Sequence, residues 1–184
     1  SGGQLILQST SFTGNSADLE GGAIFAENTD LNSTNCVFSG NQNTANNGGG
    51  AIRLAGGSFH DLNGTFTSNT SASSGGAINV SSVSGSVRNS SFSNNQAAFS
   101  GGAIRSLDSN FTSNHSIFSL NAATSSGGGA IDLENGSFHD ANGSYSNNSA
   151  GLGGGAMRWT NTNGSIQDSN FTENHNVTSN GGGA

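Results

Sequence analysis

Two short strings alternate along this chain at a nearly fixed interval, and that interval limits the folds open to it. Gly-Gly-Ala-(Ile/Met) occurs at 21–24, 49–52, 75–78, 101–104, 128–131 and 154–157, and a further Gly-Gly-Ala closes the chain at 182–184. Between these strings an aromatic residue is followed three positions later by asparagine, at Phe12/Asn15, Phe38/Asn41, Phe66/Asn69, Phe92/Asn95, Phe118/Asn121, Tyr145/Asn148 and Phe171/Asn174. Successive aromatics lie 26 to 28 residues apart. A period of that length is the mark of a solenoid in which each repeat is one turn and buries its apolar face only against its neighbours.

Composition decides which kind of solenoid. Glycine supplies 30 of 184 residues, lysine is absent, and there is one methionine, so a helical repeat lacks its usual residues. A polar, glycine-rich chain with no aromatic period would read as disordered, but here the period is kept throughout. No proline interrupts the strands, as a fold that needs nearly every backbone N–H for sheet ladders requires.

Strand alternation then assigns sides. Ile24 with Ala26, Ile52 with Leu54, Ile78 with Val80, Ile131 with Leu133 and Met157 with Trp159 share one face and are expected inside. Phe25, Arg53, Asn79, Arg105, Asp132 and Arg158 fall between them and are expected to face water, free to vary. Two residues before each aromatic stand Thr10, Cys36, Gly64, Ser90, Ser116, Gly143 and Ser169, all small enough to leave room for rings. Coils stack about 4.8 Å apart, so seven coils span roughly 33 Å. Phe12, Phe38, Phe66, Phe92, Phe118, Tyr145 and Phe171 should form one column of rings. Asn15, Asn41, Asn69, Asn95, Asn121, Asn148 and Asn174 should form a ladder at the next turn, where an amide both donates and accepts and also tolerates left-handed backbone. The expected fold is all-β: a right-handed parallel β-helix of about seven coils, running as one continuous segment over residues 1–184. Leu5 and Leu7 are already in strand phase near Ser1, and Ala184 stops short of its expected isoleucine, so the segment is expected to come from a longer solenoid.

A finer period lies beneath the first. An apolar residue precedes the aromatic by seven positions at Leu31, Phe59, Phe111 and Phe138, but by five at Leu7, Val87 and Ile166. Every third coil is therefore of one type, as the near identity of 57–66 with 136–145 illustrates, giving a super-repeat of 79 to 81 residues. Val37 and Ile117 are equivalent outward positions in it and are candidates for a lateral contact row.

The residues that could carry chemistry are few. Four arginines against eleven acids give a net charge of −7, which removes a phosphate-binding stripe and with it nucleic acid as a partner. The acids are scattered and read as a solvated surface. His60-Asp61 and His139-Asp140 are the pairs a polysaccharide-active β-helix enzyme would need, but they are equivalent positions three coils apart and read as a repeated turn element. His115 and His175 follow asparagines in expected turns, and no second His or Cys has the spacing of a metal site, so neither metal nor cofactor is expected. Cys36, the only cysteine, reads as a buried apolar thiol. Asn-x-(Ser/Thr) occurs thirteen times, about twice the chance frequency for this composition. Asn63, Asn135, Asn142 and Asn163, in Asn-Gly-(Ser/Thr) turns, together with Asn89, Asn110 and Asn176, are the candidate glycosylation sites. Asn69 also lies in a sequon but is expected to be engaged in the ladder.

Tandem Gly-Gly-Ala-(Ile/Leu/Val) and Phe-x-x-Asn strings resemble the passenger repeats of the chlamydial polymorphic outer-membrane proteins, and the resemblance covers the whole chain. It is similar also to repeats in large secreted proteins of algae and other protists. The resemblance implies a surface-exposed β-helix with structural or adhesive roles. Met157 in place of isoleucine and Tyr145 in place of phenylalanine depart from the pattern, and the tyrosine hydroxyl needs a partner.

The expected role is a non-catalytic, extracellular, glycosylated building block of a cell-surface filament or hair. Its partners would be copies of itself or other filament subunits, with no insertion into a membrane by this segment. The first alternative is an adhesin passenger binding host or cell-surface glycans or proteins through loops 43–47, 97–100 and 150–152; the second is a polysaccharide-active enzyme.

Overall fold

The computed structural model describes residues 2–177, and every regular element in that span is a strand. The strands form three parallel sheets, one strand of each per coil, so the chain is a β-solenoid of about seven turns. The motif at 182–184, Ala184 included, lies outside the described residues.

The Gly-Gly-Ala corner starts the longest strand. It runs over Ile24–Thr34, Ile52–Leu62, Ile104–Asn114, Ile131–Ala141 and Met157–Gln167, and in the fourth coil as two pieces, Ile78–Ser81 and Ser84–Arg88. The first coil contributes Gly3–Gln8. At the corner, a Cβ on Gly22, Gly50, Gly76, Gly102 or Gly129 would come within 1.9–2.1 Å of the carbonyl oxygen of a glycine in the next coil. Only glycine fits that approach.

Each long strand is bent at a residue with left-handed backbone: Asn28, Gly56, Ser82, Asp108, Asn135 and Asn161. The bend inserts one residue into the alternation. Ile52 and Leu54 therefore point inward before it, and Phe59 and Asp61, of opposite parity, point inward after it. Two inward columns follow from the register. The first is Leu5–Leu31–Phe59–Gly85–Phe111–Phe138–Gly164, and the second is Leu7–Ser33–Asp61–Val87–Ser113–Asp140–Ile166. The five- and seven-residue spacings of the sequence are these two columns; the second repeats every third coil, and the first does so from Leu31 onward, Leu5 standing where Gly85 and Gly164 follow. Where the first column holds Gly85, the ring of Phe111 occupies the vacated space: a Cβ there would meet Phe111 Cε2 at 2.4 Å.

The second sheet is made of three-residue strands centred on the aromatic, Thr65–Thr67 for example, so the ring sits mid-strand rather than at a strand end. Phe38, Phe66, Phe92, Phe118 and Tyr145 are fully buried, and adjacent rings in the column from Phe12 to Phe171 stack with centroids 4.6–4.9 Å apart and planes within 7° of parallel. The outward neighbours Val37 and Ile117 are exposed, 38% and 50%.

A third sheet follows the asparagine ladder and was not expected from the sequence. Its strands have two residues each, from Ser16–Ala17 to His175–Asn176. Their inward column is Ala17–Asn43–Ser71–Ala97–Ala123–Ala150–Asn176, always the fifth residue after the aromatic and always small.

Candidate functional site

The ladder is the most fully bonded part of the molecule. Oδ1 of Asn95 accepts both the backbone N–H and the Nδ2 of Asn69, each at 3.0 Å, while Nδ2 of Asn95 donates to Asn121 Oδ1 and to the carbonyl of Phe66, both at 3.0 Å. The pattern runs from Asn15 to Asn174. The left-handed backbone expected of these asparagines belongs instead to the residue before each one: Gly14, Gly40, Ser68, Asn94, Leu120, Asn147 and Glu173. The ladder asparagine itself turns inward, as its bonding requires.

Charge on the first half of the long-strand sheet is locked. Asp132 lies on the outward side, as parity requires, yet is wholly buried, because Arg105 and Arg158 from the coils on either side close over it. Arg158 Nε reaches Asp132 Oδ1 at 2.7 Å and its Nη2 reaches Oδ2 at 3.0 Å, while Arg105 Nη1 lies 3.2 Å from Oδ2. The hydrogen bond to Asp132 raises the Arg158 guanidinium above its ordinary range. Arg105 is further paired with Glu134 at 2.5 Å, and Arg53 donates to Leu54 O and Ser81 Oγ. The charged members of this row are thus held in ion pairs and hydrogen bonds rather than standing free in water.

Three acids are buried rather than solvated: Asp132, Asp61 and Asp140. Asp61 and Asp140 occupy equivalent inward positions, each opposite a glycine of its own coil: a Cβ on Gly64 or Gly143 would stand 2.1 or 2.4 Å from the carboxylate. The coil above supplies a hydroxyl to each, Ser90 Oγ to Asp61 and Ser169 Oγ to Asp140, both at 2.6 Å. Burial pushes the Asp61 carboxyl up, against hydrogen bonds from Ser90, Ser33 and Gly64 that pull it down. Tyr145 Oη is buried without a hydrogen bond of good geometry, beside Asp140 and Ser113. Burial first, and then the Asp140 charge, push its ionisation well above the tyrosine range.

His60-Asp61 and His139-Asp140 are therefore not turn elements. Both pairs lie within long strands, with the carboxylate inside and the imidazole outside. His60 Nδ1 instead meets Ser86 Oγ at 2.8 Å, and His139 Nδ1 meets Ser165 Oγ at 3.1 Å. His115 sits on a left-handed corner, and His175 lies in a short strand rather than a turn. Cys36 is buried.

The sequons divide by place. Asn63, Asn89 and Asn142 are exposed and take the left-handed corner between the first and second sheets. Asn135 and Asn163 lie within long strands, not turns; the first is half-buried with Nδ2 donating to Asp108, the second exposed. Asn110 is exposed in its strand and accepts from Ser137 Oγ. Asn176 faces inward, its Nδ2 donating to Gly153 O at 2.8 Å, as Asn43 donates to Glu20 O.

The second half of the long-strand sheet carries an open groove of about 520 Å³, lined among others by Asn32, His60, Leu62, Ser86, Arg88 and Thr112. A hollow of about 220 Å³ continues it, sharing Arg88 and Thr112 and reaching His139 and Gln167. Among the described residues no three His, Cys, Asp or Glu gather as a metal centre requires, and no helix is long and apolar enough to cross a membrane.

Residues 9–27, 63–81 and 89–106 match the model of the Chlamydia polymorphic membrane protein repeat. Each of these stretches joins a phenylalanine-centred strand to a Gly-Gly-Ala corner across the shortest loops. The coils outside them carry longer loops, at 44–48 and 124–127, or the Tyr145 and Met157 departures. No curated protein and no solved structure matches the chain significantly. With both motifs stacked in register through the described coils, the chain is a β-solenoid, and these three stretches of it are similar to the Chlamydia polymorphic membrane protein repeat.

Proposed function

We propose that this chain is a non-catalytic structural repeat of the cell surface, a building block of an extracellular filament or hair. One observation carries the reading: the inner ladder and ring column continue unbroken from the first coil to the seventh, so the molecule is a rod whose backbone bonds run along its axis. Such a rod transmits load along hydrogen-bonded columns and lengthens without redesign. The repeat match supports the surface location. N-linked glycans in this reading stand along the corner formed by Asn63, Asn89 and Asn142, where side chains meet solvent. Electron microscopy of native material should find thin fibres, and oriented fibres should diffract at the 4.6–4.9 Å coil spacing along the fibre axis; isolated spikes with no axial order would remove the filament reading. Intact mass should fall on glycosidase treatment if the corner is occupied.

Adhesion is the second reading, favoured by Phe99 and Leu152, each 49% exposed at the tips of loops that follow the third sheet. Alanine at both positions should abolish cell attachment without loss of fold if that reading holds.

A further inference from the structure

The four arginines are not equivalent. Arg53, Arg105 and Arg158 are all held by carboxylates, hydroxyls or carbonyls of the protein. Arg88 is exposed, and among the described residues its guanidinium has neither an ion pair nor a hydrogen bond. It stands where the two hollows of the long-strand sheet join.

Sheet register shows what surrounds it. One outward column reads Asn32–His60–Ser86–Thr112–His139–Ser165, and the next reads Thr34–Leu62–Arg88–Asn114–Ala141–Gln167. Both run along the solenoid axis. The carboxylates nearest in sequence belong to Asp61 and Asp140, which border the two hollows but are only 2% exposed, one oxygen of each being bonded by Ser90 or Ser169. Asp30, between Gln4 and Ser58 in the neighbouring column, is engaged by Ser58 Oγ at 2.8 Å. On a chain of net charge −7, this strip thus presents amides, hydroxyls, imidazoles and one free cation.

We propose that this groove binds a linear polyuronate, laid along the axis with about one sugar residue per coil and one uronate carboxylate on Arg88. Several observations select that occupant. The coil rise, 4.6–4.9 Å in the ring column, is close to the length of one pyranose residue in an extended chain. Serine, threonine, asparagine and histidine exchange hydrogen bonds with ring hydroxyls, and Leu62, 39% exposed, offers an apolar contact to a sugar face. A planar guanidinium matches a carboxylate with two parallel bonds. A protein partner would draw on an aromatic anchor, and no Phe, Tyr or Trp lines the groove. Nucleic acid would need many cations where there is one.

The test is titration of the chain, made without glycans because Asn32 and Asn110 lie in the groove, with hexagalacturonate followed by calorimetry and by NMR shifts of the groove amides. Saturable binding is expected, weakened about tenfold or more by Arg88→Gln and by methyl-esterification of the sugar. Leu62→Glu, which places a carboxylate beside Arg88, should abolish binding, while Glu27→Gln outside the groove should leave it unchanged. Both groove positions are exposed, and an unaltered far-ultraviolet spectrum verifies the fold of each variant. No binding, equal binding of the methyl ester, equal binding by Arg88→Gln, or a preference for oligothymidylate would each overturn the proposal.

Discussion

At the scale of single residues, stability rests on side chains that act as part of the backbone. Asn95 satisfies Asn69 on one side and bonds Asn121 and Phe66 on the other. Asn95→Ala strands the Asn69 N–H in a dry interior, at about 1–3 kcal/mol, and removes the second bond to the Phe66 carbonyl. Thermal or denaturant unfolding should show that loss. Asp61 gives a pH dependence with an unusual sign. Its carboxyl is raised in the folded state by burial, so the folded chain holds this proton more tightly than the unfolded chain does. Its contribution to stability is therefore full below the ordinary carboxylate range and lost as pH rises through the folded value. Asp61→Asn should stabilise the chain at neutral pH and flatten that part of the stability curve, measured by urea midpoints across acid to neutral pH. A variant less stable than the parent at neutral pH would contradict this account.

At the scale of the strand, much was legible and some was not. The ring column and the asparagine ladder are chemically distinctive and recur at a fixed period, so their stacking could be read from Phe12 to Asn174. The third sheet was missed because a two-residue strand has no alternation to detect. Its trace was present in the always-small fifth residue after each aromatic. His60-Asp61 was misread as a turn because the left-handed bend at Gly56 resets parity, and nothing in a residue count marks a backbone angle. Asp132 was read as exposed because parity gives the side of the sheet but not the cover that neighbouring coils provide. Asp132→Ala should cost about 3 kcal/mol, since it leaves Arg158 without its bonded carboxylate and facing Arg105, with Glu134 as the remaining counter-charge. A double cycle with Arg158→Met, followed by thermal melting, should show strong coupling between the two positions. No local string marks the groove, because its lining is spread over coils about 26 residues apart and only register assembles it.

At the scale of the whole molecule, the three-coil cycle of the interior sets more than a spacing. Phe111 leans into the room above Gly85, and Asp61 fits because Gly64 gives way and Ser90 caps it from the next coil. Remove the fourth coil alone, and Phe59, Phe111 and Phe138 become three consecutive rings with no glycine gap to receive one. Duplication or loss of three coils within 31–164 keeps the order of two large side chains and a glycine in that column. Length in this solenoid is thus a counted quantity: recombination can add or drop it cleanly in triplets, and an error of one turn is recorded in the core as a misfit.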